Sequence, residues 1–426
     1  MRLPNLLATR KGRIAAFFLM YLTEGLPIGF AMTTVATQLR RQGVGTAEIG
    51  GFLGLVLLPW AFKWAYGPFI DLIACRRLGP RRGWILGAQL MMVATLLPLA
   101  SLDLATQLGL FTALLVVHNL FGAVQDVAVD ALAVTTLRED ERAFASGMMF
   151  GGQSLGVLIG GGGALLLIGR IGFSTGILVL ALVIAAVLGL VVLPMREAPT
   201  QSARPASAGL AAAGSEVLAF LRQALQALFG SRLALAGLLF AVLPISAMAL
   251  ARGLQSNLAV DLGLSNEQIG WLATASQAAT AVTCVIGGWL SDRVNLRRAL
   301  ATYVALLSLP GVYLLFELQR QGWVPGQAAP AALATAFMAA VVTYQLLFGF
   351  IYGARVAVFI GITQPAVAAT QFAAYMALTN LSITYSVVWQ GYAVQHWGYA
   401  ATLGLDALVG LSCLLLLPLL KIQKPR

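Results

Sequence analysis

The sequence predicts an all-α polytopic membrane protein of twelve transmembrane helices in two six-helix pseudo-symmetric halves. Three observations predict it: 59% hydrophobic residues against 10% charged, apolar runs of spanning length repeated along 426 residues, and a more polar stretch that interrupts them near the middle. This composition excludes an ordinary soluble globular protein. The formal charge of +11 is carried by short basic clusters between apolar runs, the pattern of inner-membrane loops, so nucleic-acid binding is not expected. Cys75, Cys284 and Cys413 have neither zinc nor disulfide spacing and read as packing residues.

The runs fall at about 14–38, 48–71, 84–102, 109–134, 143–168, 172–194, 233–257, 266–290, 299–317, 331–354, 367–393 and 399–420. The first is long enough to span and is followed by others, so it reads as a helix and not as a cleavable signal. Residues 1–194 thus form an N-terminal half, 195–231 a cytoplasmic linker and 232–426 a C-terminal half. Within the linker, Ser215 to Gly230 has the character of an amphipathic interfacial helix. Nearly all Lys and Arg lie at the termini and in the even-to-odd loops; the opposite loops hold only Arg40, Arg41, Arg170 and Arg320. Both termini are therefore expected in the cytoplasm of a bacterial inner membrane.

Ionisable groups inside the spans are the candidates for function, because a charge at the bilayer centre costs about 2.5–3.5 kcal/mol on insertion scales. On the fourth span His118, Gly122, Asp126 and Asp130 follow a four-residue spacing that makes one drifting stripe. Asp126 lies deeper than Asp130, so the first is expected to face Lys63 or the pathway and the second to anchor a gate near Arg138 and Arg142. Glu24, on the first span, falls near the bilayer centre. Either a Glu24–Lys63 or a Lys63–Asp126 pair would lower the burial cost, as a permanent structural bridge or as one broken during a cycle. Arg252 on the seventh span suits an anionic group, or snorkels to the interface. The tenth and eleventh spans add Tyr344, Tyr352, Tyr375, Asn380, Tyr385 and Trp389, a polar aromatic set that suits a large ligand or simple helix packing. Two histidines give no basis for a metal centre, and no cofactor is expected.

The second span ends Gly67-Pro68-Phe69-Ile70-Asp71 before Arg76, Arg77, Arg81 and Arg82, and the eighth ends Gly288-Trp289-Leu290-Ser291-Asp292-Arg293 before Arg297 and Arg298. This repeat resembles the loop motif of the major facilitator superfamily. So does Glu139-Asp140-Glu141-Arg142 after the fourth span, and so does the glycine-rich fifth span, Gly151 to Gly163. The resemblance implies the major facilitator fold, gating roles for Asp71, Asp130, Arg142, Asp292 and Arg293, and substrate near the midplane between the halves. Glu24-Gly25-Leu26-Pro27, Pro59-Trp60-Ala61-Phe62-Lys63 and Gln125-Asp126-Val127-Ala128-Val129-Asp130 are similar to a narrower branch. That branch contains AmpG muropeptide permeases, acetyl-CoA transporters and the RhtX/FptX and YbtX-like siderophore permeases.

The function expected from this resemblance is proton-coupled import of a siderophore or metal-siderophore complex by alternating access. A muropeptide permease is the alternative, and export of a small amphipathic metabolite is also open. The expected partners are the small-molecule substrate, protons and the lipid bilayer. No Walker motif supports ATP drive, and the short basic loops carry no acid–base pair of the kind a membrane-embedded enzyme needs.

Overall fold

The computed structural model describes residues 5–72, 78–104, 106–197, 222, 226, 229–251, 253–291, 295–362 and 368–420. Among these the regular structure is helical: α1 Arg10–Arg41, α2 Thr46–Ala61, α3 Lys63–Leu72, α4 Arg82–Leu99, α5 Leu108–Thr136, α6 Glu139–Leu158, α7 Ala164–Ile171, α8 Phe173–Val187, α9 Arg232–Val242, α10 Gly253–Asp261, α11 Asn266–Ser291, α12 Leu296–Gln321, α13 Ala331–Ile362 and α14 Ala368–Leu411. Nine helices among the described residues are long and apolar enough to cross a membrane. Two of the differences from twelve have local causes: the seventh span is broken into α9 and α10, and the last two spans run on through one kink at Gly398 (φ 78°). The proposed interfacial helix in the linker lies largely outside the described residues.

Packing divides the chain into two compact units, Met1–Phe30 with Phe62–Arg222 and Ala31–Ala61 with Gln223–Arg426. The boundaries within the first two spans fall at defects. In α1, Pro27 removes a backbone donor, and a π-turn over Phe30–Val35 follows. The second span is interrupted at Phe62, shortly after Pro59.

The first unit is built on a seam of α1 against α6. A Cβ on Gly25 or Gly29 would lie 2.0 or 2.1 Å from the carbonyl oxygens of Gln153 or Val157, and one on Gly152, Gly156 or Gly160 would lie 2.0–2.2 Å from those of Phe18, Leu22 or Leu26. Only glycine lets two backbones meet this closely in a bilayer, where dispersion and close fit replace the hydrophobic drive. Phe17, Met20, Ile85, Leu132, Met149 and Val191 fill the apolar core beside the seam.

Basic residues at the helix ends of this unit bind backbone. Arg82 donates from Nε to the Val192 carbonyl (3.0 Å) and from Nη2 to that of Leu193, and Arg81 Nη1 donates to the Ile70 carbonyl (3.2 Å). Glu197 accepts the Arg81 and Arg82 amides that open α4. Cations thus meet C-terminal carbonyls and an anion meets an N-terminus, the favourable sense for helix dipoles. Arg13 and Glu141 form a buried bidentate bridge at 2.9 and 2.5 Å, and the guanidinium holds the Glu141 carboxyl below its ordinary range.

Candidate functional site: a charged cluster, a latch and a broken helix

In the first unit the seam and the fourth span bring the intramembrane charges together. Of the two pairings open from sequence, the structure forms Lys63–Asp126, with Nζ donating to Oδ2 at 2.7 Å. The break at Phe62 places Lys63 at the start of α3, facing the Asp126 carboxylate on α5, which is 2% exposed. Glu24 is equally buried; its Oε1 accepts Gln153 Nε2 at 2.5 Å, a contact made possible by the glycine seam. Its Oε2 has no donor, and Asp126 is its near acidic neighbour.

Asp130 accepts the Tyr21 hydroxyl. Around these groups, Gln125 Nε2 donates to the Met20 carbonyl and to Thr23 Oγ1, both at 3.0 Å, and Gln89 Nε2 donates to Thr23 Oγ1 at 3.2 Å. The stripe seen in the sequence therefore splits: Asp126 and Asp130 join the cluster. His118 turns into the packing of α4, with Nδ1 3.0 Å from Thr95 Oγ1 and from the Met92 carbonyl oxygen. Three carboxyls surround one ammonium.

In the second unit, Arg40 at the end of α1 makes a bidentate bridge to Asp261 at the end of α10, 2.7 and 2.8 Å long. Tyr399, set by the Gly398 kink, donates its hydroxyl to Asp261 at 2.6 Å. Arg41 donates to Asn266 Oδ1 and the Leu264 carbonyl. Nearby, Thr46 Oγ1 donates to the Gly391 carbonyl at 3.0 Å and Gln395 accepts the Ala47 amide at 3.1 Å, so α2 is tied to α14 at the same level. Together these form a latch of charge-assisted and backbone bonds.

The aromatic candidates of the tenth and eleventh spans largely serve the interrupted seventh. Tyr344 is fully buried and donates to the Ala247 carbonyl at 2.7 Å; Tyr385 donates to that of Val242 at 2.6 Å. Tyr375 accepts Gln371 Nε2 at 2.9 Å and stacks on Phe359, and Asn380 Nδ2 donates to the Trp60 carbonyl at 3.1 Å. Tyr352 and Trp389 are half-buried. Backbone away from helix geometry is tolerated at membrane depth only when its polar groups are met in this way. Arg252, Asp292 and Arg293 lie outside the described residues, as do the side chains of Asp71 and Arg142.

Motif reading passes over four residues that the structure makes prominent: Tyr21, Gln153, Asp261 and Asp406. Asp406 carried a usable signal, a lone carboxyl within the apolar run Leu403 to Leu408. Gln153 and Tyr21 carried none, because their importance comes from what the seam and the fold set beside them.

Comparison with known proteins places this arrangement. The Major Facilitator Superfamily description matches residues 14–253 and 245–426. The anhydromuropeptide permease of Escherichia coli K12 is 28% identical over 400 residues, covering 91% of this chain and 75% of that protein. A putative AmpG 4 transporter of Rickettsia conorii is 26% identical over 158 residues, 36% of this chain and 38% of its own. In fold, the D-xylose-proton symporter superposes with TM-score 0.73 at 12% identity over 95% of this chain and 96% of that one. The inward-open xylose transporter of E. coli gives TM-score 0.71 at 13% identity, covering 98% of each. The chain belongs to the Major Facilitator Superfamily and is a secondary transporter of multi-pass membrane type.

Proposed function

We propose that this protein imports peptidoglycan fragments of the anhydromuropeptide type across the bacterial inner membrane, coupled to protons, by alternating access. The observation that carries the reading is the similarity to an anhydromuropeptide permease along 91% of the chain. It favours the muropeptide alternative over the siderophore substrate expected from sequence.

The cluster supports coupling on physical grounds. Three carboxyls around one ammonium carry excess negative charge in a medium that penalises it, and a proton held among Glu24, Asp126 and Asp130 relieves the excess. Movement of Lys63 away from Asp126 would then raise the demand for that proton, which links protonation to a change of helix positions. We assign substrate or coupling roles to Glu24, Lys63, Asp126 and Arg252, and gating roles to Asp71, Asp130, Arg142, Asp292 and Arg293. Both termini lie in the cytoplasm in this reading, with six-helix halves over 1–194 and 232–426 joined by the 195–231 linker.

The test is uptake into proteoliposomes of a labelled anhydromuropeptide against an iron-siderophore complex, with an inward proton gradient and with a protonophore. Accumulation of the muropeptide alone, abolished by the protonophore, is expected. Accumulation of the siderophore alone, or uptake that persists without any ion gradient, overturns the substrate or the coupling respectively.

A further inference from the structure

The second unit holds one buried carboxyl that neither the charged cluster nor the latch employs. Asp406, 1% exposed, lies about 12 Å along α14 from the Gly398 kink at ~1.5 Å per residue. Its Oδ2 accepts the backbone amides of Met248 and Ala249 at 2.7 and 2.8 Å, and its Oδ1 accepts Gln390 Nε2 at 2.6 Å. Those two amides lead into the 3-10 turn Ala249–Ala251 that precedes α10, so the carboxylate caps the restart of the broken seventh span.

The residues just before the restart are held by other groups. Ser246, with φ 63°, donates its amide to the Gly410 carbonyl (3.1 Å) and its hydroxyl to that of Val304 (2.7 Å). A Cβ on Gly410 would lie 2.0 Å from the Ser246 carbonyl carbon, so this position must be glycine for the break to lie against the last span. The cap therefore depends on Asp406 and the anchorage before it does not. The titratable groups packed around the break are Tyr344 of α13 and Tyr385 of α14, each engaged with backbone carbonyls, and Cys413, on which the Arg355 guanidinium of α13 acts. No cation acts on Asp406 itself among the described residues. Gln390 is 1% exposed, and its Oε1 has no donor.

We propose that Asp406 and Gln390 form a second proton-binding site, separate from the Glu24–Lys63–Asp126 cluster, whose occupancy sets how firmly the outer half of the seventh span is held. Without the proton, the carboxylate receives three N–H donors, and bonds to an ionised acceptor are about twice as strong as neutral ones. A proton taken from water binds Oδ1 and turns it into a donor. The Gln390 amide then rotates and presents Oε1, its unpartnered oxygen, as the acceptor. Oδ2 keeps the Met248 and Ala249 amides but loses the charge that strengthened them, and α10 is released from a strong cap to a weak one. The proposal goes beyond the transport reading and does not depend on the solute carried.

Hydrogen exchange of the purified full chain in lipid nanodiscs, without substrate, tests it. After correction for the intrinsic pH dependence, amides over 246–261 are expected to lose protection by about tenfold on going from mildly alkaline to mildly acidic pH. Asp406→Asn, which keeps both the acceptor for the amides and a donor for Gln390, should show the lower protection at both pH values. Asp126→Asn should retain the response. An unresponsive wild type, a response surviving in Asp406→Asn or one lost in Asp126→Asn overturns the proposal. Should Asp406→Asn fail to fold, Gln390→Leu serves: removing a donor to the charged form must move the midpoint to higher pH, and an unmoved midpoint also overturns it.

Discussion

Removing one partner of a buried ion pair leaves the other charge stranded, which makes Lys63 and Asp126 the most informative single residues. A one-sided loss costs about 3–5 kcal/mol when both partners are buried, and less here because the Lys63 side chain is 26% exposed. Asp126→Asn is therefore expected to lower the melting temperature in detergent and to reduce uptake of the transported solute at least about tenfold. The double variant Lys63→Gln with Asp126→Asn should regain stability without regaining uptake; recovery of both would make the pair purely structural. Arg13–Glu141 gives a stability test with a defined sign. Glu141 is depressed in the fold, so its bridge stabilises above the ordinary carboxylate pKa of about 4.3, and that contribution disappears as pH falls through the lower folded value. Glu141→Gln should melt below the parent at neutral pH, and the two curves should converge as acid protonates the parent. At this scale the sequence was legible where a charge sits in an apolar run, as with Glu24, Lys63 and Asp126. It was not legible for Tyr21, Gln153 or the choice between two possible lysine pairings, since each depends on which helix faces are turned together.

Among the elements, the seam of α1 and α6 offers neighbouring positions with opposite expectations. A Cβ on Gly152 would meet the Phe18 carbonyl oxygen at 2.2 Å, whereas one on Gly151 reaches only the edge of the Phe18 ring at 3.9 Å. Gly152→Ala should cost about 1–3 kcal/mol through forced separation of two backbones, and Gly151→Ala should be neutral or stabilising by up to about 1 kcal/mol. Thermal unfolding of the two variants checks the contrast, and equal effects would mean the helices do not touch as described. The glycine clustering of the fifth span announced close packing in the sequence; its partner, α1, was not announced. Residues 233–257 read as one apolar run, and only the groups gathered from α12, α13 and α14 show why the backbone is able to leave helix geometry between Val242 and Gly253. Tyr344 and Tyr385 were visible as a polar aromatic set, but a hydroxyl aimed at a carbonyl and one aimed at a ligand look the same in one dimension.

For the whole molecule, transport by alternating access requires some contacts to form and break in every cycle, and the Arg40–Asp261–Tyr399 latch is a candidate for that role. Its members are far apart in the chain and share one carboxylate, so their effects should not add. Arg40→Gln and Asp261→Asn, singly and together, are expected to show a coupling energy of about 0.5–3 kcal/mol in unfolding. Each should also speed hydrogen exchange over Ala36–Arg41. Additive effects would place the two residues in separate interactions. The family and the twelve-run pattern were readable over the full length of the chain, because hydropathy and loop charge act through the bilayer and need no tertiary detail. Substrate choice was not, since the three narrow motifs are shared across a branch whose members carry different solutes.

The glycine seam carries a consequence for heredity. Every one-base change in the first or second position of a glycine codon introduces a side chain or a stop, and at Gly25, Gly29, Gly152, Gly156 and Gly160 any side chain begins inside a carbonyl. No smaller or equal substitute exists, and relief by trimming a neighbour is impossible where the neighbour is main chain. In a deep mutational scan these five codons should be among the least permissive of the first unit, and less so the larger the side chain introduced, because each added atom forces two backbones further apart.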